Sequence, residues 1–156
     1  MNHFENHHLI TSKDLLLDSM SKMCENLHVD VFNSIPITFA IDLGTTLCQH
    51  EFDKFNYYFN MVEKHKEQYN AGRDAEAKAE ILSTMNKNLS THYNLSEKKR
   101  KYASVVMRET LFDGGNIWLF KPNDMNRGRG VNLFNSVEQL KKLIVDHTSR
   151  AETKQF

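Results

Sequence analysis

The chain of 156 residues has the length of one ordinary domain, and with 40% hydrophobic residues it can bury a core, which excludes global disorder. Twenty basic and twenty acidic side chains give a net charge of zero, so the chain has no overall bias toward nucleic acid or anionic lipid. Its first 60 residues are acidic and the remainder is basic, so an anionic ligand is expected to meet the C-terminal half.

The first part of the sequence predicts helices with one strand among them. A Leu/Met stripe that follows a capping box at Thr11 and Asp14 predicts a helix. Strict alternation of apolar residues over 35–41 predicts a strand with one buried face, and Pro36 places it at a sheet edge or at the first residue of a strand. Aromatic residues at helical spacing then predict a helix that ends near Gly72.

The middle of the sequence predicts two more helices with a loop between them. Asp74 is predicted to cap the first of these helices, and the polar residues 86–94 are predicted to form the loop. The next helix is predicted from Ser96 to Thr110, and the basic run at 97–101 is interpreted as a solvated face rather than a nucleic-acid patch. The two cysteines have no metal-binding spacing and are predicted to be reduced thiols, and no metal ligands are predicted.

After a Gly-Gly turn the sequence predicts a β-hairpin followed by a helix. Residues 116–122 form a β-rich run that ends at a proline, and residues 131–134 form a second short strand. Between them lie residues 123–130, which we call the glycine–arginine loop. Ser136 and Gln139 have the spacing of a capping box and predict the start of the last helix.

Lys121 is the first candidate binding residue. It follows Ile117 and Leu119 at alternate positions, so the three side chains share one face of the strand, and that face is expected to be buried. A buried ammonium without a partner is costly, and a bound anion is expected to compensate its charge.

The glycine–arginine loop supplies further groups that suit phosphate. Arg127 and Arg129 offer planar sets of N–H donors, and Gly128 and Gly130 have no side chain that would keep backbone N–H groups away from an anion. The loop is neither a P-loop nor a strand-to-helix GxGxxG, because no Lys-Ser/Thr follows it and it joins two strands. The residues alone leave two interpretations open, a phosphate site and a solvated basic hairpin.

Three stretches of the sequence together form a recognisable pattern. They read Asn-Ile-Trp-Leu-Phe-Lys-Pro at 116–122, Asn-Arg-Gly-Arg-Gly-Val at 126–131 and Ile-Pro-Ile-Thr-Phe at 35–39. The first two resemble the nucleotide-binding hairpin of the tubulin tyrosine ligase-like family, amino-acid ligases with an ATP-grasp fold, and the third is similar to a stretch that members carry upstream. The resemblance implies that Lys121 and the loop residues at 127–130 bind ATP, and that the arginine at 127 also binds the protein substrate.

The resemblance also implies a fold and a domain organisation. The fold class is α/β, with α+β as the alternative, and the chain would be a partial ATP-grasp-like domain. Residues 1–112 would form a mainly helical N-terminal region, and residues 113–156 would begin the nucleotide-binding domain with the hairpin and a helix. ATP and Mg²⁺ are the implied cofactors, but the catalytic and metal-holding residues are expected beyond Phe156. The 156 residues alone are therefore expected to be inactive.

The implied reaction adds glutamate, glycine or tyrosine to tubulin tails. It implies tubulin or microtubules and an amino acid as partners, and a cytoplasmic, cytoskeletal, ciliary or basal-body location. No nucleic-acid or membrane partner is expected. Two alternatives stay open: a non-catalytic module that binds ATP or tubulin, and a helical interaction protein that binds no nucleotide.

Overall fold

The fold is helix-rich and contains one small antiparallel sheet. The computed structural model describes residues 5–46, 48–72, 74–96, 106–125 and 127–153. Within these ranges the elements are α1 His8–Thr11, α2 Lys13–Asn26, α3 Cys48–Ala71, α4 Ala75–Ser96, α5 Glu109–Asp113, β1 Trp118–Phe120, β2 Asn132–Phe134 and α6 Val137–Thr153. A short 3₁₀ turn lies between α2 and α3. This combination of helices and a hairpin confirms the predicted mixed α/β class.

The first predicted helix is present, but its start differs from the prediction. Ser12 has an extended backbone, with φ −86° and ψ 133°, and it separates α1 from α2. Its hydroxyl donates to Asp14 Oδ1 at 2.6 Å, so the predicted capping box at Thr11 is wrong. An extended serine is typical of the residue that precedes the first turn of a helix, and α2 accordingly starts at Lys13.

Residues 35–41 keep the predicted alternation but form no strand. Ile35, Ile37, Phe39 and Ile41 are half-buried, while the residues between them are exposed. The apolar face is therefore occupied as expected, and it packs against the helical core. The backbone has no ladder partner in the described part of the chain, because the sheet there consists of β1 and β2 alone. The predicted edge strand is wrong, and side-chain burial holds an extended segment instead.

The helix predicted to end near Gly72 ends at Ala71, and α4 follows the prediction at its first turn but not at its end. Asp74 Oδ1 accepts a hydrogen bond from the N–H of Ala77 at 2.8 Å, which confirms the predicted cap. The loop predicted at 86–94 is wrong, because the helix continues to Ser96. Met85 and Leu89 are fully buried, and their packing outweighs the polar composition of this segment.

The segment that follows α4 also differs from the prediction. Residues 97–105, with the basic run, lie outside the described residues, and residues 106–108 are not helical. The hydroxyl of Tyr58 donates to the carbonyl of Val106 at 2.9 Å, and burial raises the pKa of this phenol so that it keeps its proton. Arg108 donates to the carbonyl of Phe32 at 3.2 Å. These contacts hold the backbone in place, and the helix predicted to span this segment is wrong there.

The hydrophobic core is organised around α3. One cluster joins α3 to α4 and α5 through Tyr58, Met61, Val62, Tyr69, Met85, Leu89, Met107 and Phe112. A second cluster joins α3 to the hairpin and α6 through Phe55, Phe59, Phe134, Val137 and Leu140. Phe39 and Trp118 pack against both clusters. The hairpin is therefore attached to the helical core by its aromatic residues.

The last helix and the cysteines agree with the sequence. The N–H of Gln139 donates to Ser136 Oγ at 3.2 Å, and the Gln139 side chain accepts from the N–H of Asn135 at 2.9 Å, which confirms the predicted cap of α6. Cys24 is buried, whereas Cys48 is half-buried, and both are free thiols. No helix in the described ranges combines the length and apolar character needed to cross a membrane.

Candidate functional site

The hairpin presents two faces with different surroundings. Its strands are antiparallel, with Trp118 opposite Phe134 and Leu119 opposite Leu133. Residues that lie directly opposite one another share a face. The inner face, with Trp118 and Phe134, packs against α3. There the ring centres of Trp118 and Phe55 lie 5.1 Å apart in an edge-to-face arrangement. The outer face, with Leu119 and Leu133, is exposed.

The environment of Lys121 differs from the prediction. Ile117 and Leu119, which precede it on the same face, are 53% and 45% exposed, and Lys121 itself is exposed. The aromatic residues of the other face reach the core on α3, so the face with the lysine is turned to solvent. The predicted burial of Lys121 is wrong, and its ammonium needs no anion to offset desolvation.

The cations at the loop end of the hairpin have no counter-charge among the described residues. Lys121, Arg127 and Arg129 are exposed. Within the described residues none of their side chains forms an ion pair or a hydrogen bond, whereas other basic side chains such as Lys22 and Lys54 pair with acids on their own helices. The hairpin therefore offers three free cationic groups to an external partner.

The backbone of the glycine–arginine loop lies partly in the left-handed region. Arg127, Gly128 and Gly130 have φ values of 58°, 75° and 69°. A non-glycine residue with positive φ is strained by roughly 1–2 kcal/mol, and such strain is often kept at ligand sites. A Cβ on Gly128 would meet nothing within 4 Å, so the backbone there is open to approach.

Gly130 has a different role from Gly128. A Cβ on Gly130 would lie 2.6 Å from Met125 Sδ and 3.0 Å from Pro122 Cγ. The end of the loop thus packs against its beginning, and a Cβ at position 130 would force the Met125 side chain to shift. This residue closes the loop, while Gly128 and its neighbours remain accessible.

The segment 123–125, at the start of the loop, is held by other elements. Lys13 Nζ donates to the carbonyl of Met125 at 2.8 Å, and His147 Nε2 lies 3.2 Å from Asp124 Oδ1. Asp14 contacts the Asn123 side chain, and its pKa is lowered by the Ser12 hydroxyl, the backbone N–H of Leu15 and the Asn123 side chain in that order. The sequence gives no sign of these contacts, since no local pattern links Lys13 to residues more than 100 positions away.

Asn116 fixes the start of β1 and was given no role by the sequence. It is fully buried, and its Nδ2 donates to Glu63 Oε1 at 2.8 Å and to the Phe59 carbonyl at 3.3 Å. Its Oδ1 accepts from Trp118 Nε1 at 2.8 Å, and its φ is 57°. Asparagine after two glycines is a sign of such a conformation, because asparagine tolerates positive φ better than most residues.

A cavity in the structure lies away from the predicted site residues. It has a volume of about 360 Å³ and is lined by Asn56, Phe59, Asn60, Glu63, Asn135, Ser136, Val137, Glu138 and Lys141. None of these belongs to the glycine–arginine loop, so the cationic groups form an exposed site rather than the wall of this cavity. In the part of the chain that the structure describes, no group of three His, Cys, Asp or Glu side chains could hold a metal ion.

Comparison with known proteins identifies the family of the chain. No curated protein and no solved structure matches the chain. The model of the tubulin-tyrosine ligase family matches residues 1–155, and it includes the hairpin, the glycine–arginine loop and the helices that support them. The resemblance at the hairpin is thereby confirmed. The chain belongs to the tubulin-tyrosine ligase family.

Proposed function

We propose that the glycine–arginine loop binds the phosphates of Mg-ATP in an ATP-dependent ligase. Family membership supports a ligase function in general. The finer proposal rests on the three free cations Lys121, Arg127 and Arg129, for which no described side chain supplies a negative charge. Like charges on one short hairpin repel each other, and a bound polyanion offsets this repulsion because it attracts each of the three cations.

Each residue has a role that its geometry supports. Lys121 supplies a compact charge to a phosphate oxygen, and Arg127 and Arg129 supply planar donor pairs. Gly128, with open space where a side chain would be, lets the backbone approach the ligand. Gly130 acts indirectly, because it allows the loop to close on Met125. Arg127, strained and exposed, is also the residue we assign to the protein substrate.

The proposal extends to the reaction of the family. ATP supplies the phosphoryl group that activates a carboxylate for amide formation, and the amino acid added is glutamate, glycine or tyrosine. The target is the tail of tubulin, which places the protein in the cytoplasm at microtubules. Residues 113–156 supply the nucleotide contacts and residues 1–112 support them. The described residues fit the phosphates, since they are cationic, and we assign none of them to Mg²⁺.

Nucleotide binding is tested by a titration of Mg-ATP. Trp118 is the single tryptophan and lies on β1, so its fluorescence and isothermal calorimetry both report binding. We expect Lys121→Met to weaken affinity about tenfold or more, since hydrogen bonds to charged groups contribute roughly 1.5–3 kcal/mol. The matched control is Lys87→Met on α4, which removes an exposed lysine elsewhere and is expected to leave affinity unchanged. Equal affinities of the unchanged chain and Lys121→Met would contradict the proposal, and no binding by either would favour an interaction protein without nucleotide binding.

The reaction is tested separately by transfer of labelled glutamate, glycine or tyrosine to tubulin. Transfer of one of the three supports the ligase proposal and identifies the amino acid. Intact nucleotide binding without any transfer is the result expected if the 156 residues alone are inactive, and it leaves the non-catalytic binding module as an open alternative.

A further inference from the structure

The beginning of the glycine–arginine loop is held by the N-terminal helix. Lys13 is the first residue of α2, and its ammonium donates to the Met125 carbonyl at 2.8 Å and lies 3.5 Å from the Asn123 carbonyl. A lysine ammonium has three donors, so it can bind two carbonyls of one turn at the same time. The contact joins residues 112 positions apart and crosses from the helical region to the hairpin.

The same segment is held at its other two residues. Asp14, next to Lys13, contacts the Asn123 side chain, and His147 on α6 lies 3.2 Å from Asp124. The His147 ring also packs on that of Phe120, with ring centres 6.1 Å apart. Each residue of the segment 123–125 is thus contacted by a side chain from α2 or α6.

The held segment determines where the free part of the loop lies. Gly130 packs on Met125 and Pro122, with no room for a Cβ, so the end of the loop rests on its beginning. The N–H of Val131 also bonds to the carbonyl of Gly128 at 3.3 Å. A shift of Met125 would therefore move both ends of the span that carries Arg127 and Arg129.

We propose that Lys13 is a positioning residue for the anion-binding loop. Its ammonium fixes the backbone of 123–125, and through Gly130 this limits the conformations that Arg127, Gly128 and Arg129 can adopt. The ligand then meets a loop that is already ordered, and less conformational entropy is lost on binding. The inference rests on the proposed nucleotide binding and adds to it a role for the N-terminal helix.

The test compares Lys13→Met with Lys13→Arg, which restores a cationic donor, and with Lys22→Met. Lys22 is a matched control because it lies on the same helix and forms an exposed ion pair with Asp18 at 2.7 Å. Two readouts are used on the folded chain: the rate of trypsin cleavage after Arg127 and Arg129, and the affinity for Mg-ATP from Trp118 fluorescence. Circular dichroism confirms that each variant is folded at the temperature of the assay.

We expect Lys13→Met to raise the cleavage rate about three- to fivefold and to weaken affinity by a similar factor, because the contact is exposed to solvent. Lys13→Arg is expected to recover most of both effects, and Lys22→Met is expected to change neither. Saturating Mg-ATP should protect the loop in every variant. The two arginines provide the cleavage sites without any added label.

Three outcomes separate this inference from the proposed function. Unchanged cleavage in Lys13→Met would overturn the inference. Faster cleavage with unchanged affinity would also overturn it, since Lys13 would then order the loop without any effect on Mg-ATP binding. Failure of the unchanged chain to bind Mg-ATP would contradict the proposed function, and the cleavage rates would still decide whether Lys13 orders the loop.

Discussion

The two faces of the hairpin carry similar apolar residues but have opposite environments. The inner face places Trp118 and Phe134 in an aromatic core on α3, whereas Leu119 and Leu133 on the outer face are 45% and 71% exposed. Alternation in the sequence predicts that a strand has two faces, but it does not show which face is buried. Which face is buried therefore depends on the element that packs against the strand. Here the aromatic side chains of the inner face pack on the aromatic surface of α3.

The same contrast separates the hairpin strands from the glycine–arginine loop. The strands are held by buried rings and by the fully buried Asn116, while the loop is held by hydrogen bonds at the surface such as that of Lys13. Burial stabilises by several kcal/mol per large side chain, and exposed polar contacts by about 1 kcal/mol or less. Substitutions should therefore have larger effects inside the hairpin than at the exposed polar contacts of its loop.

The largest effect is expected from Phe134→Ala. Phe134 is 5% exposed and its ring centre lies 5.8 Å from that of Phe55, so truncation leaves a cavity and should lower the free energy of unfolding by about 3–5 kcal/mol. Leu133→Ala is the matched control at the preceding residue, and we expect its free energy of unfolding to change by no more than about 0.5 kcal/mol. Urea denaturation of the two variants measures both values. Similar losses in the two would show that the outer face is as well packed as the inner one.

Asn116→Ala should have the next largest effect, a loss of roughly 2–4 kcal/mol. The substitution leaves Trp118 Nε1 without its hydrogen-bond partner, and at φ 57° it replaces asparagine, which tolerates positive φ, by alanine, which does not. Asn116→Gly removes the same side-chain hydrogen bonds but tolerates the backbone conformation, and it should be about 1 kcal/mol less destabilising than Asn116→Ala. Denaturation followed by Trp118 fluorescence measures the difference. A more stable alanine variant would contradict the assignment of backbone strain at this position.

Part of this architecture was predictable because its signals are local. The cap at Asp74, the box at Ser136 and Gln139, and the hairpin depend on residues close together in the chain, and all of them are present in the structure. The five candidate binding residues are also contiguous or nearly so, which is why the sequence could single them out. Their assignment to nucleotide stays a prediction.

The failures have a common physical cause, since they depend on tertiary contacts. The segment 86–94 has a polar composition, but Met85 and Leu89 anchor it in the core and it stays helical. Residues 35–41 have the correct alternation but no neighbouring strand in the part of the chain that the structure describes. The Lys13 contact with the loop joins distant positions through one side chain, and no periodic pattern records such a contact.

Gly130→Ala tests how tightly the loop closes. At φ 69° an alanine is strained by roughly 1–2 kcal/mol, and its Cβ would lie 2.6 Å from Met125 Sδ and 3.0 Å from Pro122 Cγ, so these side chains would have to shift. We expect a loss of about 2–3 kcal/mol. Gly128→Ala, with a φ of 75° and open space around it, should lose only the stability that corresponds to the backbone strain. Thermal unfolding of both variants gives the comparison, and equal losses would show that the packing on Met125 contributes nothing.

The smallest effect concerns Asp14 at the exposed contact with the loop. Hydrogen bonds from the Ser12 hydroxyl first, then from the Leu15 N–H and the Asn123 side chain, favour the carboxylate and lower its pKa below the ordinary 3.8. A lowered pKa means that the stabilisation is complete above pH 3.8 and is lost as the pH falls through the value in the folded state. Carboxyl carbon chemical shifts followed by NMR against pH should give a midpoint below 3.8. Ser12→Ala should move that midpoint upward more than Asn123→Ala does, and the reverse order would show that the loop, rather than the helix start, holds this carboxylate.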